Sequence, residues 1–110
     1  MIKVKLFKKN DLLIGFSILG HAEYSDNGDD IVCAAVSMLT INTINTFEEI
    51  LEFDDFSYAI DNMGYGLIDF ELLKNFDDEK AQLLLKSFEL GVNSLEKEYN
   101  EYIEISYEGV

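Results

Sequence analysis

Apolar and polar positions alternate from Ile2 to Phe7, where Lys3 and Lys5 interleave the apolar residues, and this period-two pattern predicts a strand. Lys8-Lys9-Asn10-Asp11 reads as a turn, and Leu12 to Leu19 reads as a second strand with Leu12, Ile14, Phe16 and Ile18 on one face. The two runs predict an antiparallel hairpin. Gly20 to Gly28 is small and polar, a loop. A long helix follows from about Asp30 to Glu52. Asp29 or Asp30 can cap it by accepting a bond from a free backbone N–H. Val32, Val36, Leu39 and Thr43 have helical spacing, as do Met38, Ile41, Ile44 and Phe47. Thr40, Ile41, Thr43, Ile44 and Thr46 are β-branched and lower the intrinsic propensity, so burial against a sheet must supply most of the stability. Phe56 to Asp61 alternates, Asn62-Met63-Gly64 turns, and Tyr65 to Phe70 alternates again. Asp77 or Asp78 opens a second helix to about Tyr99, with Ala81, Leu84, Leu85, Phe88, Val92 and Leu95 on one face. Gly91 is its weak point, at up to about 1 kcal/mol relative to Ala if exposed. Tyr102 to Tyr107 closes the chain as a strand. The order ββαββαβ predicts an α+β domain, a mostly antiparallel sheet with two packed helices.

The 110 residues suit a single domain spanning 1–110. There is no proline or tryptophan, no low-complexity linker and no internal repeat. No run reads as a membrane span, and the amino terminus reads as a strand and not as a signal peptide. One unpaired cysteine without an export signal places the expectation in the reducing cytoplasm.

Charge changes the picture more. The net charge is −14, every one of the 8 basic residues is lysine, and none lies between Asp11 and Asn62. Direct nucleic-acid binding is disfavoured, because phosphate neutralisation needs a basic surface. Phosphate-bearing small substrates are disfavoured for the same reason, whereas a cationic partner is attracted and steered.

The chemistry concentrates in Gly20-His21-Ala22-Glu23-Tyr24-Ser25-Asp26-Asn27-Gly28-Asp29-Asp30-Ile31-Val32-Cys33-Ala34-Ala35-Val36-Ser37, which holds the only histidine and the only cysteine of the chain. A thiol near a helix start with one imidazole close by is the minimal kit for a cysteine nucleophile and its base. With Asp30 as the cap, Cys33 is the third helical residue and sits among free N–H groups. These favour a thiolate and can hold an oxyanion. Against this, the carboxylates of Asp29 and Asp30 raise a thiol's pKa, so activation rests mainly on His21. Gly20 and Gly28 would let the histidine loop flex. Ala34 and Ala35 leave room for a substrate backbone. Ser37 lies one turn beyond Cys33, either as a donor to substrate or as an inward hydroxyl bonded one turn back. Buried small hydrophobe and solvent-facing loop residue are the alternatives for Cys33 and His21. No metal site is expected: one His and one Cys are too few for zinc, and Glu23, Asp26 and Asp29 suit hard cations better. No cofactor is called for. Tyr24, Phe56, Tyr58, Met63, Tyr65 and Phe70 are candidate apolar subsites, each with core packing as the alternative.

The Gly20-His21-Ala22 element and the Asp30-Ile31-Val32-Cys33-Ala34-Ala35-Val36-Ser37 element, in that order and at short spacing, resemble the Prp family of bacterial ribosomal-processing cysteine proteases. Beyond Ser37 the similarity is one of pattern. The resemblance implies an endopeptidase that removes the N-terminal extension of a large-subunit ribosomal protein, the twenty-seventh. It implies Cys33 as nucleophile, His21 as general base and acid, a mobile histidine loop and a homodimer. It does not identify a third catalytic group, for which Asp30 and Ser37 are candidates. A basic ribosomal protein precursor also matches the acidic charge. The competing readings are a non-enzymatic acidic binding module for such a protein, and a redox protein, which the lack of a second thiol weakens.

Overall fold

A computed structural model describes residues 1–20, 27–61 and 67–110. The elements run β1 (Ile2–Lys9), β2 (Leu12–Leu19), α1 (Asn27–Asn45) with a π-helical turn at Thr46–Ile50, β3 (Phe56–Asp61), β4 (Leu67–Leu72), α2 (Glu79–Glu98) and β5 (Ile103–Gly109). The expected ββαββαβ order and α+β class hold. The strands form one sheet in the order β3-β4-β2-β1-β5. Three pairings are antiparallel, and β5 joins β1 in parallel after the α2 crossover.

One face of the sheet carries the core. Ile2, Val4 and Leu6 of β1, Phe16 and Ile18 of β2, Phe70 and Leu72 of β4 and Ile103 of β5 are buried there. They lie beneath Val32, Val36, Ile44 and Phe47 from the α1 segment and Ala81, Leu85, Phe88 and Val92 of α2. Phenylalanines fill the centre: Phe16 stacks on Phe88 at 4.2 Å and on Phe70 at 5.0 Å, and Phe47 meets Phe70 at 4.9 Å. Such pairs add about 1 kcal/mol each beyond the area they bury. The other face has no helix. It presents Lys3, Lys5 and Phe7 of β1 beside Ser17, Asp69, Glu71, Ser57 and Ala59 across the neighbouring strands.

Strict alternation fails in β2. Phe7 pairs with Gly15, but Lys8 pairs with Leu13, so Ile14 is an extra residue in a β-bulge. The bulge swaps faces: Leu13 is buried in the core, and Ile14, expected there, lines the helix-free side. Gln82 of α2 fixes the bulge. Its side chain accepts from the Leu13 N–H at 3.1 Å and donates to the carbonyls of Leu13 and Phe76, both at 2.7 Å.

The helices also depart in detail from the sequence expectation. Met38 is 69% exposed and Ile41 half-buried, so only Ile44 and Phe47 of their set reach the core. The buried stripe runs instead through Val32, Val36, Thr40, Thr43 and Ile44. Threonine is tolerable there because the Thr40 and Thr43 hydroxyls donate to the carbonyls of Val36 and Leu39 one turn back, each at 2.7 Å. Residues Ile31–Ile50 are long and apolar enough to cross a membrane by composition, contrary to the sequence reading. They pack instead as the core helix of the sheet. In α2, Asp78 caps the helix by accepting from the Ala81 N–H at 2.9 Å. Gly91 is a point of helix contact and not an exposed flaw: a Cβ there would meet Leu39 Cδ1 at 2.9 Å.

Candidate active site

The candidate nucleophile, Cys33, belongs to one end of the sheet. There β1 begins at Ile2, β2 finishes at Leu19, and β3 finishes where β4 begins, at Asp61 and Leu67. Ile18 pairs with Ile68, and Ile68 with Ile60, so the three strand ends lie side by side. The carboxyl end of α2 reaches the same place, since Tyr102, just beyond it, accepts from the Ile2 N–H at 2.9 Å. Ala35 and Leu39 of α1 line a groove of about 430 Å³ with Gly91, Ser94 and Leu95 of α2 and with Tyr99 just beyond it. The start of α1, and Cys33 with it, therefore stands at this end.

The chain leaves β2 through Gly20, which has φ +98° and whose missing Cβ would meet the Met1 carbonyl at 2.6 Å. Both facts demand glycine, so Gly20 serves the geometry of the exit into the histidine segment. His21, with Glu23, Tyr24 and Asp26, lies outside the described residues, as do Met63, Tyr65 and the turn expected at Asn62-Met63-Gly64.

α1 begins at Asn27, earlier than expected. Gly28, Asp29 and Asp30 are therefore inside its first turn, so Gly28 does not end a loop and neither Asp29 nor Asp30 is the cap. An early start is open to Gly28 because first-turn residues have no intrahelical acceptor for their N–H groups. Cys33 becomes the seventh helical residue and not the third. Helical side chains lean toward the amino end, so a group at this position is carried over the preceding turn.

Cys33 is a free thiol of intermediate exposure that touches the core. Val32 and Val36 beside it are buried, whereas Ile31 (52% exposed), Ala34, Ser37 and Met38 face outward. The thiol sits on the border of the two stripes, held by packing yet open to a substrate. Ser37 is exposed one turn further on. No charged residue occurs from Ile31 to Phe47, and the nearest acids along the helix are Asp29 and Asp30, one turn before Cys33.

Of the proposed aromatic subsites, Phe70 is core at 2% exposure. Phe56 stacks on it at 5.4 Å. Tyr58 is exposed beside Glu48, and hydrogen bonding to that carboxylate, with its charge, pushes the phenol above its ordinary value. Glu48, Phe53, Asp54, Phe56, Ser57 and Tyr58 line a cleft of about 420 Å³ that the sequence reading did not isolate. Its only signal was the clustering of acids and aromatics from Glu48 to Tyr58. A second groove, of about 530 Å³, lies on the helix-free face over Phe7, Ile14, Gly15, Ala59 and Asp69, away from α1.

Comparison with known proteins gives the family and the fold. The family model of cysteine protease Prp matches residues 1–104. A ribosomal processing cysteine protease Prp of Staphylococcus aureus is 33% identical over 89 residues, 80% of each chain. That of Bacillus subtilis is 25% identical over 108 residues, 96% of each chain. The crystal structure of SMU.848 from Streptococcus mutans superposes with a TM-score of 0.90 at 32% identity, covering 100% of this chain and 96% of that one. The S. aureus Prp structure in complex with a substrate peptide gives 0.81 at 25% identity, covering 98% and 100%. With its model matched along nearly the whole length, and with a partly buried thiol on the helix that follows the first hairpin, the chain belongs to the cysteine protease Prp family.

Proposed function

We propose that this chain is the endopeptidase that removes the N-terminal extension of the twenty-seventh large-subunit ribosomal protein, with Cys33 as nucleophile and His21 as general base and acid. The observation that carries the reading is its match, over most of its length, to relatives named ribosomal processing proteases. The Cys33 sulfur, its proton taken by His21, attacks the scissile carbonyl carbon. The carbonyl π electrons move onto oxygen, giving a tetrahedral oxyanion. The tetrahedral intermediate collapses, the C–N bond breaks, and His21 returns the proton to the departing amine. Water, deprotonated by His21, then attacks the thioester carbonyl, and the thiol leaves with the proton.

Asp30 and Ser37 are supporting candidates, Asp30 by orienting charge at the helix start and Ser37 by its exposed hydroxyl one turn from the thiol. Gly20 shapes the exit of the histidine segment. The proposal includes a homodimer in the cytoplasm, where ribosomes mature and a lone thiol stays reduced. Purified protein incubated with the extended precursor should give one truncated product by intact mass. Cys33→Ala and His21→Ala should give none. Wild-type cleavage by either variant sinks that residue's assignment. Co-elution without cleavage would favour an acidic binding module.

A further inference from the structure

The two edges of the sheet are finished differently. At β5, the Ile105 N–H that faces away from β1 donates to Glu96 Oε2 of α2 at 2.8 Å, so one outward group of that edge is satisfied from within the fold. At β3 no such side-chain bond to the outward groups of Phe56, Tyr58 or Ile60 is found among the described residues. The Leu73 N–H donates to the Asp55 carbonyl at 2.7 Å, which fixes which pairs of the β3–β4 ladder exchange hydrogen bonds. By antiparallel alternation Ser57, Ala59 and Asp61 bond to β4, while Phe56, Tyr58 and Ile60 turn their N–H and C=O groups outward. Among the described residues, no backbone group outside the sheet pairs with these.

Stable proteins blunt such edges with lysine, proline, a bulge or a covering element. The run Ser57-Tyr58-Ala59-Ile60 has no charge, no proline and no bulge, and all of it is exposed. It is a template for an added strand. Its far end, Asp61, lies at the sheet end where α1 begins with Cys33. Its near end, Phe56, adjoins the cleft of Glu48, Phe53, Asp54 and Tyr58. Two carboxylates and three aromatic rings there suit the alkyl stem and cationic head of lysine or arginine.

We propose that the free edge of β3 receives an extended stretch of the polypeptide substrate as an added strand, and that the Glu48–Tyr58 cleft takes a lysine or arginine of that stretch. The inference rests on the protease reading and specifies how substrate is held away from the cut bond. Cys33 and Glu48 are fifteen residues apart on one helical segment, about 22 Å. That is roughly six or seven extended residues between the scissile bond and the basic side chain. An acidic cleft also selects a basic polypeptide over a second copy of this acidic chain.

The test uses a synthetic peptide covering the cleaved bond of the precursor with roughly eight residues on each side, each backbone amide N-methylated in turn. With wild-type protein, kcat/KM should fall about tenfold at every second position on one side of the bond and little between them. Glu48→Lys should lower kcat/KM roughly fivefold on the peptide bearing lysine six or seven residues from the bond, and should gain on its glutamate analogue. Tyr58→Pro, which removes an outward N–H and no ladder bond, should mimic the N-methyl loss while melting cooperatively. If the unmethylated peptide is left whole by wild type, both the protease reading and this proposal fall. If it is cut and the methylated set is cut at one rate, only the β3 proposal falls. Conversion of a dimer to a monomer by Tyr58→Pro in sedimentation would give the edge to a second copy and overturn it as well.

Discussion

Gly15 and Gly91 look alike in sequence and have opposite prospects. A Cβ on Gly15 would come within 2.4 Å of the Phe70 carbonyl oxygen and 3.2 Å of Glu71 Cα, both backbone of the paired strand β4. Neither can retreat without opening the ladder, so Gly15→Ala should destabilise by about 2–4 kcal/mol. At Gly91 the obstruction is the tip of the partly buried Leu39 side chain, which can rotate, and alanine recovers up to about 1 kcal/mol of helix propensity. Gly91→Ala should therefore stay within about 1 kcal/mol of wild type. Urea unfolding of both variants checks the pair, and equal losses would contradict the distinction between backbone and side-chain obstruction. At this scale the sequence was informative about chemistry and poor about environment. It singled out Cys33 as the one thiol, but not its place on the border between a buried and an exposed stripe. It read Gly91 as a propensity cost because the neighbour that matters, Leu39, is on another helix.

Among the elements, β2 shows where periodicity stops being enough. All five strands and both helices were legible, because alternation and helical spacing are local. The bulge at Ile14 was not: Leu12-Leu13-Ile14 is apolar throughout, and only the partner Gln82 decides which leucine or isoleucine turns inward. Gln82 is 7% exposed and makes three hydrogen bonds to backbone groups. Gln82→Leu keeps the volume but leaves the Leu13 N–H and carbonyl without that partner. It should cost about 2–4 kcal/mol, more than the loss of an ordinary exposed hydrogen bond. Denaturant unfolding with an unchanged slope would attribute the loss to the native state, whereas a cost below about 0.5 kcal/mol would mean that the bulge holds without its clamp. The start of α1 was displaced as well. Asp29 and Asp30 are good caps by residue type, but α1 begins at Asn27 and both lie within its first turn.

For the whole molecule, charge ties stability and function together with opposite signs. The chain carries 22 acidic residues against 8 lysines. The Lys5–Glu108 ion pair, at 3.3 Å, has both side chains about half exposed and adds little. Lys8 and Lys9 stand over the rings of Tyr107 and Phe76, each at 5.1 Å, and relieve only part of the repulsion. The folded state therefore concentrates negative charge that the unfolded chain disperses, and salt should stabilise it by screening. The same screening weakens attraction for a basic polypeptide. Raising sodium chloride from about 0.05 M to about 0.5 M should raise the melting temperature by a few degrees and lower kcat/KM for a lysine-rich precursor roughly tenfold. A peptide with the same cut bond but no cationic residues separates steering from chemistry, because only the long-range term should be lost with salt. An equal fall for both substrates would place the salt effect at the chemical step and not at steering. The sign of the charge was plain from composition. Its consequence was not, because it depends on the order β3-β4-β2-β1-β5, which puts Asp61 at the end of the edge strand β3 and Asp69 on the neighbouring β4.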